Sequence, residues 1–256
     1  MVKAIFIEAG HGKKDGMVDV GAVGNGTTER AEVKQIASEL VERIKLDKRF
    51  AGVSVYSVGI SEDYDLVEKV QKINTLCKLR GYNKLNSLLI SIHINSGGGT
   101  GVESWYYVAD NDSKKFGAIV GDELSKATGL VYRGDKPDSE NRHGRLAIVR
   151  DTKPLAVLVE CGFIDSPDVN VLKDENKDDS FALGIYKGIC RHLGYEDSDS
   201  LYPDVKKNDW FYSVVEWGVK NKLVNGYGDG LFRPNNQVTR AELLTILKRF
   251  EEFTLR

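Results

Sequence analysis

Cysteine is scarce. The 256 residues hold three, Cys77, Cys161 and Cys190, far apart and odd in number. No Cys-x-x-Cys pair occurs, which excludes a thiolate metal site and a disulfide framework as organising features. Reduced thiols in a reducing compartment are the simpler expectation. Long apolar runs are missing too. The longest, such as Leu155 to Val159, fall far short of the roughly 18 residues that span a bilayer. After Met1 the chain reads Val2-Lys3-Ala4-Ile5-Phe6-Ile7, a strand pattern that Glu8 and His11 interrupt. That is too early for the apolar core of a secretion signal. The expectation is synthesis in the cytoplasm without a visible leader. Basic charge is not in excess: 36 Lys and Arg against 38 Asp and Glu leave a net charge of −2. A nucleic-acid binder is strongly basic, so that class is excluded. The hydrophobic fraction of 41% and charged fraction of 29% exclude disorder. At roughly 100–200 residues per domain, the length allows one large domain and a small companion.

Periodicity gives the order of elements. Residues 4–8, 53–58, 88–94, 102–108, 146–149 and 155–160 read as strands. Residues 28–46, 64–80, 113–128 and 179–193 read as amphipathic helices. Thr27 or Thr28 is placed to cap the first of these. In the second, Leu66, Val67, Val70, Ile73, Leu76 and Cys77 share one side. A glycine-rich loop fills 10–26, and a polar loop runs from Arg133 to Arg145. Strands alternating with helices imply an α/β fold, a mostly parallel mixed sheet flanked by helices. The polar run 196–200 is the expected linker between a domain at 1–195 and a small helical module at 201–256. That module reads as a helix at 209–221, a turn with Gly226, Gly228 and Gly230, and a helix at 239–250. Core packing is the simpler role for its Trp210 and Trp217, with stacking on a sugar face as the alternative.

Four residues stand out by position. His11 follows the first strand, Glu29 opens the first long helix, His93 sits near the end of the central strand, and Glu160 ends the last core strand. Ligands of open α/β sheets bind beyond the carboxyl ends of the strands. Two histidines and a carboxylate suit a catalytic zinc ion with an open fourth position. A further carboxylate can then take a proton from water and pass it to a leaving amine. Glu160 suits that task, because Val157 to Val159 make its surroundings apolar and raise its pKa. His11 lies between two glycines, where packing does not explain it. His192 closes a helix, where the dipole accounts for it.

These residues carry a resemblance. Gly10-His11-Gly12, the loop Asp19-Val20-Gly21-Ala22-Val23-Gly24, Glu29, the run Ser91-Ile92-His93-Ile94-Asn95 and Leu158-Val159-Glu160-Cys161-Gly162-Phe163 resemble, in order, the motifs of the zinc-dependent N-acetylmuramoyl-L-alanine amidases of the amidase 3 family. The resemblance covers residues 3–194. It implies one zinc ion on His11, Glu29 and His93, with Glu160 as general base and acid. The substrate it implies is peptidoglycan, cut between N-acetylmuramic acid and L-alanine. Asn95 in the second histidine's motif and Arg145 in a loosely matching segment are candidate substrate contacts, with His143 beside it. One departure is that the family's usual Asp-Pro before Gly-His-Gly is Glu8-Ala9 here.

The tail resembles a second family. Leu201-Tyr202-Pro203-Asp204-Val205, the run from Asn225 to Pro234, and Val238-Thr239-Arg240-Ala241-Glu242 are similar to the S-layer homology module. That resemblance implies binding of secondary cell-wall polysaccharide, with Arg240 facing anionic sugar in a bidentate pair. Such modules usually work in threes, so three chains are expected to associate. The chain resembles a phage endolysin, which the absence of a visible leader favours over a secreted autolysin, and it is expected to act at the bacterial wall after release or export. Two rivals are a wall-binding protein with an inactive amidase fold and a zinc peptidase acting on the stem peptide. The intact set of four residues speaks against the first. The absence of a His-x-x-Glu motif speaks against the second.

Overall fold

The computed structural model describes all residues except 143, 174–179, 196–201, 203, 207, 228–230 and 256. The expected linker, His143, Gly228 and Gly230 thus lie outside the described residues. Contacts divide the chain into two units, Met1–Tyr195 and Glu196–Arg256.

In the first unit, β1 (Ala4–Ala9) leads into two small hairpins, β2 (Gly12–Lys14) with β3 (Met17–Asp19) and β4 (Val23–Gly24) with β5 (Thr27–Thr28). Helix α1 (Glu29–Leu46) follows, capped by the Thr28 side chain, which accepts from the Ala31 N–H. Next come β6 (Ser54–Val58), α2 (Leu66–Arg80), β7 (Ser87–Asn95), β8 (Val102–Tyr106), α3 (Asn111–Thr128) and β9 (Tyr132–Pro137). The unit closes with α4 (Ala147–Arg150), β10 (Leu155–Phe163), α5 (Val169–Leu172) and α6 (Ser180–His192).

Six strands form one sheet in the order β6-β1-β7-β10-β8-β9. The first four are parallel, β8 runs antiparallel to β10, and β9 runs parallel to β8. The α/β reading of the sequence therefore holds. Alternate residues of each strand face opposite sides. On one side Ile5, Ile7, Ile90, Ile92, Val157 and Val159 pack against α1, α3 and α6. On the other Ala4, Phe6, Leu89, Ala156 and Leu158 pack against Ile73 and Cys77 of α2 and Ile148 and Val149 of α4. Helices α3 and α6 touch almost backbone to backbone. A Cβ on Gly184 would stand 2.6 Å from the Leu124 Cα, and one on Gly188 would stand 2.7 Å from the Val120 Cα.

Some expectations need correction. Residues 146–149 are not a strand. They enter α4, because four residues followed by the bend at 151–154 leave no room for a ladder. The polar loop at Arg133–Arg145 contains β9, whose alternation is hidden by charged side chains that face partners on β8. The glycine-rich loop holds the two hairpins, too short for a periodicity argument. On α2 the apolar stripe is shifted: Leu66 and Val67 are exposed, while Lys69 is buried with Ile73 and Cys77.

The second unit has α7 (Tyr212–Lys220) and α8 (Arg240–Thr254). Thr239 and Glu242 form a reciprocal capping box at the start of α8. The Asp204 carboxylate accepts from the N–H groups of Phe232 and Arg233. Trp210 is 89% exposed and does not pack in a core. Trp217 is half-exposed, edge-on to Phe253. No helix among the described residues is long and apolar enough to cross a membrane.

Candidate active site

The carboxyl ends of β1, β7 and β10 bring His11, His93 and Glu160 to one edge of the sheet. Glu29 comes to it from the first position of α1, at the end of the second hairpin. Its carboxylate is held on both sides. Oε1 accepts from the Ile94 N–H at 3.0 Å and Oε2 from the Ala22 N–H at 3.0 Å. The imidazoles complete the cluster: His11 Nε2 lies 2.9 Å from Glu29 Oε2, and His93 Nδ1 lies 3.0 Å from Glu29 Oε1. Among the described residues His11, Glu29 and His93 form a group able to hold a metal ion, their donor atoms within 4.8 Å of one another.

The surroundings fix these three. His11 Nδ1 meets Asp19 Oδ2 at 2.9 Å, while Asp19 Oδ1 accepts from the Gly21 N–H. A carboxylate behind a histidine sets its tautomer and aims its other nitrogen. His11 itself has φ +59°, a conformation most side chains avoid. Gly21 has φ +67°, and a Cβ there would stand 2.6 Å from the His11 ring and 2.7 Å from Glu29. A Cβ on Gly10 would stand 2.6 Å from the His93 ring. The glycines leave the space that these three side chains fill.

Beneath this layer lies a buried ion pair. Lys69 Nζ donates to Glu8 Oε1 at 2.6 Å, to the Ala9 carbonyl at 2.6 Å and to the His11 carbonyl. Glu8 Oε2 accepts from Ser91 Oγ at 2.5 Å. Glu8 and Ser91 are register partners on β1 and β7. Lys69 thereby ties α2 to the backbone of His11, and Glu8 ties β1 to β7 two residues before His93. On the far side Glu103 is the register partner of Glu160. It is buried, and its Oε1 accepts from Arg133 Nε at 2.5 Å and Lys136 Nζ at 2.7 Å.

Electrostatics separate the carboxyl groups. Burial pushes the Glu160 carboxyl up to about 7; His93 opposes this, and the charges of Glu29 and Glu103 add to it. Glu160 Oε2 is buried with no hydrogen-bond partner among the described residues. Burial also works against charge on Glu29, but hydrogen bonds from both histidines hold its carboxyl far below the usual range. Burial opposes the imidazolium of His93, yet Glu29, Glu160 and Glu8 together push it up to about 9. His11 is raised in the same sense, against burial, by Glu29 and Asp19. A carboxylate held ionised beside two basic imidazoles is a donor set suited to a divalent cation. The orphaned oxygen of Glu160 beside it is suited to accept a proton.

The other expected site residues are placed as follows. Asn95 ends β7, with its Nδ2 3.4 Å from Glu103 Oε2. Arg145 is exposed and makes no hydrogen bond or ion pair among the described residues. His192 stacks 4.4 Å from Phe116, measured between ring centres, in a structural role. Arg240 opens α8 in the second unit, exposed. Sequence reasoning missed Asp19 as a partner of His11, and it missed Lys69, Glu103, Arg133 and Lys136. The one signal for Lys69 was its place in the helical stripe between Leu66 and Ile73.

Residues 5–191 match the family described as N-acetylmuramoyl-L-alanine amidase. The chain belongs to that family. Residues 201–244 match the S-layer homology domain. The chain is 34% identical over 207 residues to the sporulation-specific N-acetylmuramoyl-L-alanine amidase of Bacillus subtilis (strain 168), covering 79% of this chain and 73% of that protein. It is 28% identical over 253 residues to the endolysin of Bacillus phage SPP1, covering 88% of this chain and 85% of that one. Among solved structures, the catalytic domain of CwlV, an amidase from Bacillus (Paenibacillus) polymyxa var. colistinus, superposes with a TM-score of 0.61 at 28% identity. That match covers 76% of this chain and all (100%) of the domain. The amidase therefore hydrolyses the amide between N-acetylmuramic acid and the L-alanine of the peptidoglycan stem, and it acts at the cell wall.

Proposed function

We propose that the amidase works with one zinc ion held by His11, Glu29 and His93, and with Glu160 as general base and then general acid. The observation that carries this reading is the buried, unpartnered Oε2 of Glu160 next to three donor groups within 4.8 Å of one another. Zinc, when bound, polarises the scissile carbonyl and makes water more acidic. Glu29 keeps its negative charge and fixes both imidazoles. Asp19 holds the Nδ1 proton of His11 and leaves Nε2 free to donate its lone pair. Glu160, its pKa raised by burial but ionised beside the cation, would take a proton from the attacking water and return it to the departing alanine nitrogen. The apolar strand behind Glu160 keeps bulk water from competing for that proton.

The second unit, in this reading, anchors the enzyme to secondary cell-wall polysaccharide, with exposed Arg240 pairing an anionic sugar. Helix α8 buries none of its residues, and Leu243, Leu244, Leu247 and Phe250 are exposed. Such a face supports a homotrimer built through this unit. The likeness to a phage endolysin over 88% of the chain supports an endolysin role.

Mass spectrometry of the products from Gram-positive peptidoglycan tests the chemistry. Free stem peptides with an L-alanine amino terminus are expected from the wild type. Glu160→Ala should keep its zinc and release none, whereas His93→Ala should lose both zinc and activity. Peptides still attached to sugar would replace this reading with a peptidase. Activity retained in Glu160→Ala would overturn the mechanism. Arg240→Ala should lower wall pelleting, and light scattering should give a trimer mass; a monomer with undiminished wall binding removes the trimer.

A further inference from the structure

The sheet edge has a direction. Reading across from β1, it presents His11, then His93, then Glu160, then Glu103 with its two cations. The two flanks differ in chemistry. Beyond His11 lies a groove of ≈ 430 Å³. There Lys13 and Lys14 are matched by Asp15 and Asp65, with apolar Leu66, Val67 and Ile148 among the other lining residues. That flank has no surplus of positive charge. Beyond Glu160 the balance is different. Arg133 and Lys136 share one carboxylate oxygen of Glu103, so two cations face one anion.

The surplus is open to solvent. Glu103 is 2% exposed, but Arg133 is 39% exposed and Lys136 is 28% exposed. Arg133 spends Nε on Glu103 and Nη1 on the Thr100 carbonyl, and its Nη2 has no hydrogen bond among the described residues. Its guanidinium is steadied 5.1 Å from the centre of the Phe163 ring. Lys136 Nζ lies 5.4 Å from the centre of the Trp105 ring and uses one donor on Glu103. These cations are held in place with donors left over, the usual arrangement for receiving a second anion.

We propose that Lys136 and Arg133 form a subsite for the carboxylate on the second residue of the stem peptide, so that peptide lies over β8 and β9 and neutral glycan lies in the groove beyond His11. The inference rests on the amidase reading and gives that reaction an orientation. Distances suit it. Two residues of extended peptide reach about 7 Å from the scissile nitrogen. Adjacent strands stand about 4.8 Å apart, so β9 lies roughly 9.6 Å from β10. A carboxylate leaving the Glu160 strand at that reach arrives between β8 and β9, where the cation tips meet. The second stem residue carries a free carboxylate in some walls and an amide in others. The subsite therefore makes the enzyme selective between them.

The test is a pair of muramyl peptides that differ only in amidation of the second residue. The wild type should favour the free carboxylate about tenfold in kcat/KM, the order a charge-assisted hydrogen bond supplies. Lys136→Gln should erase most of that ratio through KM more than through kcat, while Glu103 keeps Arg133 as its partner. Arg133→Gln is the second variant. Should either fail to fold, the wild type gives the answer by salt. Its KM for the carboxylate substrate should rise as the Debye length shrinks from about 10 Å at 0.1 M to about 3 Å at 1 M, and that for the amidated substrate should not. Equal rates on both substrates overturn the subsite and leave the amidase reading standing. So does a Lys136→Gln enzyme slower on both with its ratio intact. Cleavage of neither peptide nor of whole peptidoglycan by the wild type sinks both.

Discussion

Replacing Lys69 by methionine keeps the length and volume of the side chain and removes its charge. Lys69 and Glu8 are 3% and 2% exposed, and their contact is 2.6 Å. Removing one member of so buried a pair leaves the other uncompensated, at a cost of about 3–5 kcal/mol. In a domain of this size each kcal/mol moves the melting temperature by about 2–4 °C, so a fall of about 6–20 °C is expected. The pH dependence has a definite sign. Burial raises the Glu8 carboxyl, but Lys69 and His93 outweigh it and the folded pKa is lowered from 4.5. The pair's contribution is therefore complete above the unfolded value and lost as pH falls through the folded one. The Lys69→Met deficit should be largest at neutral pH and shrink in acid. Glu8→Gln combined with Lys69→Met should recover part of the loss, because the two residues are coupled. Zinc affinity, measured by competition with a chelator, should fall along with stability, since the His11 carbonyl loses its anchor. Urea unfolding of the wild type, both single variants and the double variant completes the cycle. A deficit for Lys69→Met under about 1 kcal/mol, or strict additivity in the double variant, would refute the reasoning.

Further outcomes concern the site itself. Glu160→Gln should retain zinc and lose about 10²–10⁴-fold in kcat. In the wild type kcat/KM should climb with pH as Glu160 ionises, on a limb at or below about 7, because a bound cation favours the carboxylate. Stripped of metal, the wild type pays for a buried carboxylate: its folded pKa is raised, so stability falls as pH rises from 4.5 toward about 7. Glu160→Gln should then melt higher than the wild type at pH 8, with the gap closing toward pH 4.5; melting curves at both pH values decide this. Asp19→Asn should weaken zinc binding about 10–100-fold through His11 orientation, with secondary structure intact by circular dichroism. Gly21→Ala should abolish zinc binding in the same assay, since its Cβ meets both His11 and Glu29, whereas Gly16→Ala, with nothing within 4 Å, should cost only about 1–2 kcal/mol from its left-handed backbone.

The layer architecture was legible because its signal is periodic. Val33, Ile36, Leu40 and Ile44 mark the buried side of α1, and the run Leu88 to Ile94 marks a central strand. His11, Glu29, His93 and Glu160 stood out for a different reason: their places at strand and helix ends and the motifs around them, since Glu29 alone reads equally well as a first-turn residue; the structure brings the donor atoms of the first three together. The residues that support them did not stand out. Asp19 lies in a hairpin of three-residue strands, too short to show alternation. Lys69 was hidden because a buried lysine violates the pattern that identifies a buried face, and its partner Glu8 comes from a strand 61 positions away. Arg133 and Lys136 lie on an edge strand whose charged side chains disguise it as a loop. Pairing across the chain, rather than local pattern, determines all of these.

The seam between α3 and α6, where Gly184 and Gly188 bring backbone against backbone, bears on how the site opens. Amides in β10, α3 and α6 should exchange with solvent only when the whole first unit unfolds, since no part of that packing can loosen alone. The hairpins between His11 and Glu29 have few buried contacts and should exchange much sooner. The hairpins join His11 to Glu29, which is itself tied to β7 through the Ile94 N–H, whereas Glu160 belongs to the slow part. If the proposed ion is bound there, it should leave and return through fluctuations of the hairpins while Glu160 stays in register, so its removal by a chelator should be reversible without unfolding.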